Sequence, residues 1–215
     1  MKPSEDALIR LAHVGMHPDR LRELVSKTGS PGRVLARIEH GDLTVPAAAR
    51  EAARVPAEQR REEMRDAGID FLARDDPRFP QRLRELPDSP LFLFQRGQDF
   101  SGTAVAIVGT RACTTYGRRL AESYGRAVSR AGWSVVSGLA KGIDGAAHRG
   151  SLNGPSPGVA VLGSGVDVWY PRNHRDLGRS LLDRSGTVWS ESPPGARPLG
   201  WRFPPHNRIG HSIPR

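Results

Sequence analysis

The residues best suited to do chemistry in this chain fall into three glycine-rich clusters. They are Gly109-Thr110-Arg111, Ser137-Gly138-Leu139-Ala140-Lys141-Gly142-Ile143-Asp144, and Gly163-Ser164-Gly165-Val166-Asp167 followed by Tyr170-Pro171-Arg172-Asn173. Glycine lets a backbone amide come close to an anion, and a helix starting just after it adds a favourable dipole. Arg111 and Lys141 add full positive charges, and Lys141 is the only lysine after residue 100. The chemistry these types point to is phosphate binding, with Gly109, Arg111, Lys141, Gly142, Gly163 and Gly165 as candidate contacts.

The spacing narrows the phosphate ligand. A dinucleotide fingerprint would read G-x-G-x-x-G directly after the first strand, but Arg111 stands where the second glycine belongs. No G-x-x-x-x-G-K-[ST] loop is present either, which argues against NAD binding and ordinary ATP hydrolysis. His148, His174, His206 and His211 lack the spacings of a zinc site, and no metal or other cofactor is implied. Asp144 reads as a helix N-terminal acid. Asp167 and Glu191 are candidates for a carboxylate pair, with no substrate pocket defined around them. Cys113 is the single cysteine, so a disulfide framework is excluded, and it is expected to be buried and inert.

These loops need a scaffold, and the apolar runs supply one. From Thr103 onward, AVAIV (104–108), WSVVS (133–137), GVAVL (158–162) and TVWS (187–190) read as strands buried on both faces, with Trp133 and Val135 in the core. Helices are expected over 117–131, 142–153 and 173–184. Such alternation gives βαβ units and a Rossmann-like, doubly wound parallel sheet, whose ligand site lies beyond the carboxyl ends of the strands. The three glycine clusters fall at three such ends. Upstream, DALIRLAHV, PDRLRELVSKT, PGRVLARIEH and PAAAREAARV place apolar residues at spacings of three and four, which predicts four or five short helices. Between these parts, strands are expected at Ile69–Leu72 and Leu91–Phe94, with a helix over Phe79–Leu86. The expected organisation is an all-helical domain over 1–67 and an α/β domain over 68–215, with 68–100 packed onto the latter.

Charge supports a polyanionic partner. The net charge is +9, yet residues 1–100 hold 17 Lys and Arg against 17 Asp and Glu. Residues 101–215 hold 15 against 6, so one half carries the whole excess. Arginine-rich coding bias explains 29 Arg against 3 Lys, but not the loss of acids from one half. The N-terminal MKPSEDALIRLAHVG has no apolar segment of a secretory signal, and no run is long enough to span a bilayer. A cytoplasmic protein without membrane association is expected.

The motifs VAIVGTR, VVSGLAKGIDGAAHRGSL, VAVLGSGVDVWYPRNHRDL and SESPPGARPLGWRFPPHNRI resemble the DprA/Smf family in order and spacing. The resemblance covers about residues 68–209, and the helical front end is similar, more loosely, to that family's sterile-alpha-motif-like domain. It implies single-stranded DNA binding without sequence preference, delivery of the strand to the RecA recombinase in natural transformation, and no enzymatic activity. By motif, Arg111 and Lys141 match the family's main DNA-contacting cations, while Phe203, Asn207 and Arg208 fall in the FP-x-x-NR-I segment lining the same groove. Sequence-tolerant binding of this kind needs a cationic track and flat stacking surfaces, for which Tyr116, Trp201 and Phe203 are candidates. The family usually reads FPRRNRI, whereas Pro205 and His206 stand here in place of basic residues. It also continues beyond NRI with a further strand–helix unit, where this chain ends in GHSIPR. The sheet is therefore expected to lack its last strands, and homodimerisation and RecA contact, which the resemblance assigns to that region, are put in question. The alternative is a nucleotide-processing enzyme of the lysine-decarboxylase-like phosphoribohydrolase type, whose P-G-G-x-G-T-x-x-E motif is absent.

Overall fold

The computed structural model describes residues 3–156, 158–200, 208–210, 212 and 213. Its front end forms five helices: α1 (Pro3–Ala12), α2 (Pro18–Thr28), α3 (Pro31–His40), α4 (Ala47–Arg54) and α5 (Ala57–Asp66). Proline opens α2 and α3, where its missing N–H costs no helical hydrogen bond. Both helices stop at a glycine in the left-handed region, Gly29 at φ 80° and Gly41 at φ 86°. Ile9, Leu11, Val34, Ile38 and Ala53 turn inward and are fully or almost fully buried.

Six strands form one sheet in the spatial order β1-β2-β6-β5-β4-β3. They are β1 (Asp70–Ala73), β2 (Phe92–Gly97), β3 (Ala104–Ala106), β4 (Ser134–Ser137), β5 (Val159–Val161) and β6 (Thr187–Ser190). Strands β3, β4, β5 and β6 are mutually parallel, and β2 and β1 extend the sheet antiparallel beyond β6. A single helical turn, α6 (Gln81–Arg84), stands where a longer helix over Phe79–Leu86 was expected. The crossovers are α7 (Thr115–Arg130), α8 (Ile143–Ser151) and α9 (Arg175–Asp183), the last led in by a 3₁₀ turn at Arg172–His174. The α/β class and the parallel Rossmann-like core agree with the sequence expectation.

Alternate residues along each strand feed two cores, as the pleat requires. On one face Ala160, Leu162 and Val188 meet Leu177 and Leu181 of α9, and this cluster runs on through Phe92 and Phe94 into the helical front end. The edge of the His13 ring meets Phe94, with centroids 5.7 Å apart, and burial lowers the His13 pKa. On the other face Val136, Val159, Val161 and Trp189 pack against Phe79, Leu83, Ile209 and Ile213. The buried Trp189 indole N–H donates to Gln95 Oε1 at 2.7 Å, so a large apolar surface is buried without stranding its one donor.

Two expectations need correcting at the β3 edge. Trp133 is 47% exposed, because β4 begins one residue later and the turn at Gly132 (φ 81°) leaves the indole outside the strand. Val108 is 48% exposed, since β3 ends at Ala106. Among the described residues β3 pairs only with β4, so its outer side lacks the neighbour that would bury a longer strand. Cys113 is half-buried rather than buried.

Candidate nucleic-acid interface

The carboxyl ends of β3, β4 and β5 open onto one cleft, about 1310 Å³ counted out to bulk solvent. Gly109 and Arg111 reach it from the first loop, Gly138 and Lys141 from the second, and Gly163 and Ser164 from the third. Tyr170 and Pro171 close one side. Arg111 and Lys141 are both exposed, so the two cations share one rim, as the sequence predicts.

Contact between the loops sets this rim. A Cβ on Gly142 would lie 2.2 Å from the Thr110 carbonyl oxygen and 2.8 Å from that of Arg111. Gly142 also has φ 82°, a conformation that side chains resist, so glycine is needed there twice over. A Cβ on Gly109 would lie 2.7 Å from Ile143, the first residue of α8. These glycines let the two cation-bearing loops touch.

Asp144 ties the same loops from beneath. Its carboxylate accepts from the Gly109 amide at 3.3 Å and the Gly138 amide at 3.1 Å. Burial raises its pKa, and the amide hydrogen bonds only partly offset that. The helix N-terminal acid expected from sequence is therefore a buried clasp spanning 35 residues. Two histidines brace the second loop further. The fully buried His148 donates from Nε2 to the Ser137 carbonyl at 3.4 Å, and burial lowers its pKa to about 4, which keeps it neutral at pH 7. His174, from the third loop, donates from Nδ1 to the Leu139 carbonyl at 2.9 Å.

Several expected contacts have other employment. The Gly109 amide is taken by Asp144, and the Gly165 amide donates to Ala196 at 2.9 Å, so neither is presented to a ligand. Gly142 acts through loop packing, and Gly163 alone of the third-loop glycines lines the cleft. Arg208 forms a two-pronged pair with the buried Glu191, both contacts at 2.7 Å, and donates from Nε to the Asp88 carbonyl at 3.1 Å. Its guanidinium thus ties the C-terminal turn to Glu191 and Asp88. Of the two candidate carboxylates, Asp167 accepts from the Gly195 amide, and Glu191 is held by Arg208. Tyr116 is 74% exposed but lies on α7, in a stripe with Leu120 and Tyr124, away from the cleft lining. Trp201, Phe203 and Asn207 fall outside the described residues. Tyr170 is the aromatic residue that lines the cleft, and its place just after the third glycine cluster was a usable signal for it.

Comparison with known proteins agrees with this architecture. Residues 70–214 match the family described as DNA recombination-mediator protein A. The chain is 38% identical to Protein Smf of Synechocystis over 154 residues, covering 69% of this chain and 38% of that protein. It is 34% identical to DNA processing protein DprA of Bacillus subtilis over 148 residues, 67% of this chain and 50% of the relative. The chain thus spans half or less of the length of these curated relatives. The crystal structure of DNA processing protein A from Streptococcus pneumoniae superposes with a TM-score of 0.76 at 27% identity, covering 100% of this chain and 76% of that one. A structure of the Helicobacter pylori protein, describing its single-stranded DNA binding mode, shares the fold at a TM-score of 0.58 and 24% identity, over 68% of this chain and 66% of that one. With a family match over both the glycine loops and the strands that carry them, the chain belongs to the DNA recombination-mediator protein A family, that of the DprA and Smf proteins.

Proposed function

We propose that this chain binds single-stranded DNA by its phosphate backbone, without reading base edges, and that it acts as a binding protein rather than an enzyme. The observation that carries the reading is the shared rim of Arg111 and Lys141, set by the contact of Gly142 with the Thr110–Arg111 backbone. Two exposed cations on one rim, above a carboxylate that accepts from two amides, give a positive surface. Tyr170, 45% exposed at the side of the cleft, supplies a flat surface for a base. Cations with an aromatic platform suit a strand whose bases are unpaired, and tolerate any sequence. The relatives named for DNA processing and for a single-stranded DNA binding mode support the same substrate class.

In this reading the protein shields a strand taken up in natural transformation and passes it to the RecA recombinase. A second copy of the chain is the partner this reading gives it in that handover. No helix among the described residues is long and apolar enough to cross a membrane.

The test is fluorescence anisotropy of a labelled oligo-dT titrated with the purified chain at several salt concentrations. Salt-sensitive binding, tighter than to the matching duplex, is expected. Arg111→Ala and Lys141→Ala should each weaken it and flatten the salt slope by about 0.7, the value for one phosphate contact on a single strand. Unchanged affinity in both variants would overturn the reading. Release of free base from nucleoside monophosphates would favour the phosphoribohydrolase alternative instead.

A further inference from the structure

We propose that a second anion-binding groove runs along α9 and takes the backbone of the same DNA strand as it leaves the cleft. This rests on the single-strand reading above and extends it. The groove is lined by Arg96, Trp169, Arg175 and Arg179, with Asp167 and Asp183 on its walls. It adjoins the cleft directly: Trp169 lines the groove, while the next two residues, Tyr170 and Pro171, line the cleft.

Three arginines converge on this groove. In the helical front end several arginines are matched to acids, as in Arg22 with Asp19, Arg54 with Glu51, Arg60 with Glu63 and Arg61 with Asp6. Arg96, Arg175 and Arg179 form no ion pair among the described residues. Arg175 and Arg179 lie one turn apart on the exposed side of α9, with roughly 6 Å between their attachment points. Arg96 faces the same groove from the end of β2. Of the two acids, Asp167 already accepts from the Gly195 amide with both oxygens, at 2.8 and 3.0 Å. With Asp183, exposed at the last residue of α9, the groove sets two carboxylates against three cations, an excess of one positive charge.

Trp169 gives the groove its second character. A Cβ on Gly178 of α9 would lie 2.3 Å from the indole ring, so the ring rests directly on the helix and is held there. It stays half-buried and contributes to the groove wall, a fixed flat surface beside cations. Cations one helical turn apart beside a held aromatic ring match a flexible polyanion with stacking bases. Two cations in the cleft neutralise few phosphates, and each further phosphate contact raises both affinity and salt dependence.

The experiment compares oligo-dT of about 6 nucleotides, which the cleft alone accommodates, with oligo-dT of about 20 nucleotides. Both are titrated against the wild-type chain, R175E/R179E and Lys141→Ala. The wild type should bind the longer strand more tightly with a steeper salt slope. R175E/R179E should bind the short strand as the wild type does and lose most of the gain with length, about tenfold in affinity. Lys141→Ala should weaken both strands. A full length-dependent gain in R175E/R179E would overturn the proposal while leaving the cleft reading intact, and would leave these arginines to an acidic protein partner. Failure of the wild type to bind either strand would overturn the cleft reading and this extension together.

Discussion

The α-carbon of Gly142 rests against the carbonyl oxygen of Thr110, so closely that a Cβ would come within 2.2 Å. One of these residues opens α8 and the other follows β3, and their contact leaves Arg111 and Lys141 on the same rim. The cleft thus depends on a backbone-to-backbone approach that no side chain contributes to.

Gly142→Ala should accordingly damage both stability and binding. The residue sits at φ 82° and ψ −126°, and holding a side chain there costs about 2 kcal/mol before any clash is counted. Relief requires the loops to part, which separates the two cations. A lowered unfolding midpoint with weakened oligo-dT binding is expected. Wild-type affinity in a folded Gly142→Ala protein would show that the contact does not set the rim.

Asp144 offers a separable test of the same assembly. Asp144→Asn keeps the shape but points an amide N–H₂ at the Gly109 or Gly138 amide, leaving a buried donor unmatched. Such a mismatch costs about 1–3 kcal/mol. DNA affinity should fall although Asp144 carries the wrong charge to contact phosphate, because the loops it clasps are released. An increase in affinity, as expected from simply deleting a negative charge, would show that its role is electrostatic instead.

Arg208 should behave as a stability residue. Its side chain is 14% exposed and that of Glu191 9%, so Arg208→Ala leaves a carboxylate buried without its cation. Breaking such a pair costs about 3–5 kcal/mol. Burial already raises the Glu191 pKa, so protonation would limit the loss at acid pH. Replacing both residues by apolar ones, as in E191L/R208M, should recover much of the stability. Urea unfolding of the three proteins at neutral pH decides it: a stable Arg208→Ala chain would return this arginine to the ligand.

What the sequence revealed follows from which interactions are local. Strand β6 agrees with its apolar run residue for residue, because burial on both faces writes itself into four consecutive side chains. Strand β3 does not, since an edge position is a property of its neighbours and not of its own residues. The glycine loops were legible as loops with Arg111 and Lys141 on them, yet the reasons for the glycines were not. Ile143 fills the space beside Gly109, and Asp144 takes its amide from 35 positions away. Arg208 sits within the FP-x-x-NR-I segment, while its partners Glu191 and Asp88 lie 17 and 120 positions distant. Pattern alone could not pair a charge whose partner is that remote.

His148 should make the fold sensitive to mild acid. In the unfolded chain its imidazole takes up a proton near 6.5, and in the folded chain burial delays this to about 4. The unfolded state therefore binds more protons across that interval. The stabilisation is whole above 6.5 and is lost as pH falls towards 4, by about 3 kcal/mol in all. His13, also lowered by burial, acts in the same direction, whereas the raised carboxyls of Asp144 and Glu191 oppose it at the acid end. His148→Gln retains a donor for the Ser137 carbonyl but cannot titrate. Unfolding free energies measured at about pH 7 and about pH 4.5 should fall steeply in the wild type and less in the variant. Equal losses in the two proteins would mean that protonation of His148 does not drive the acid response.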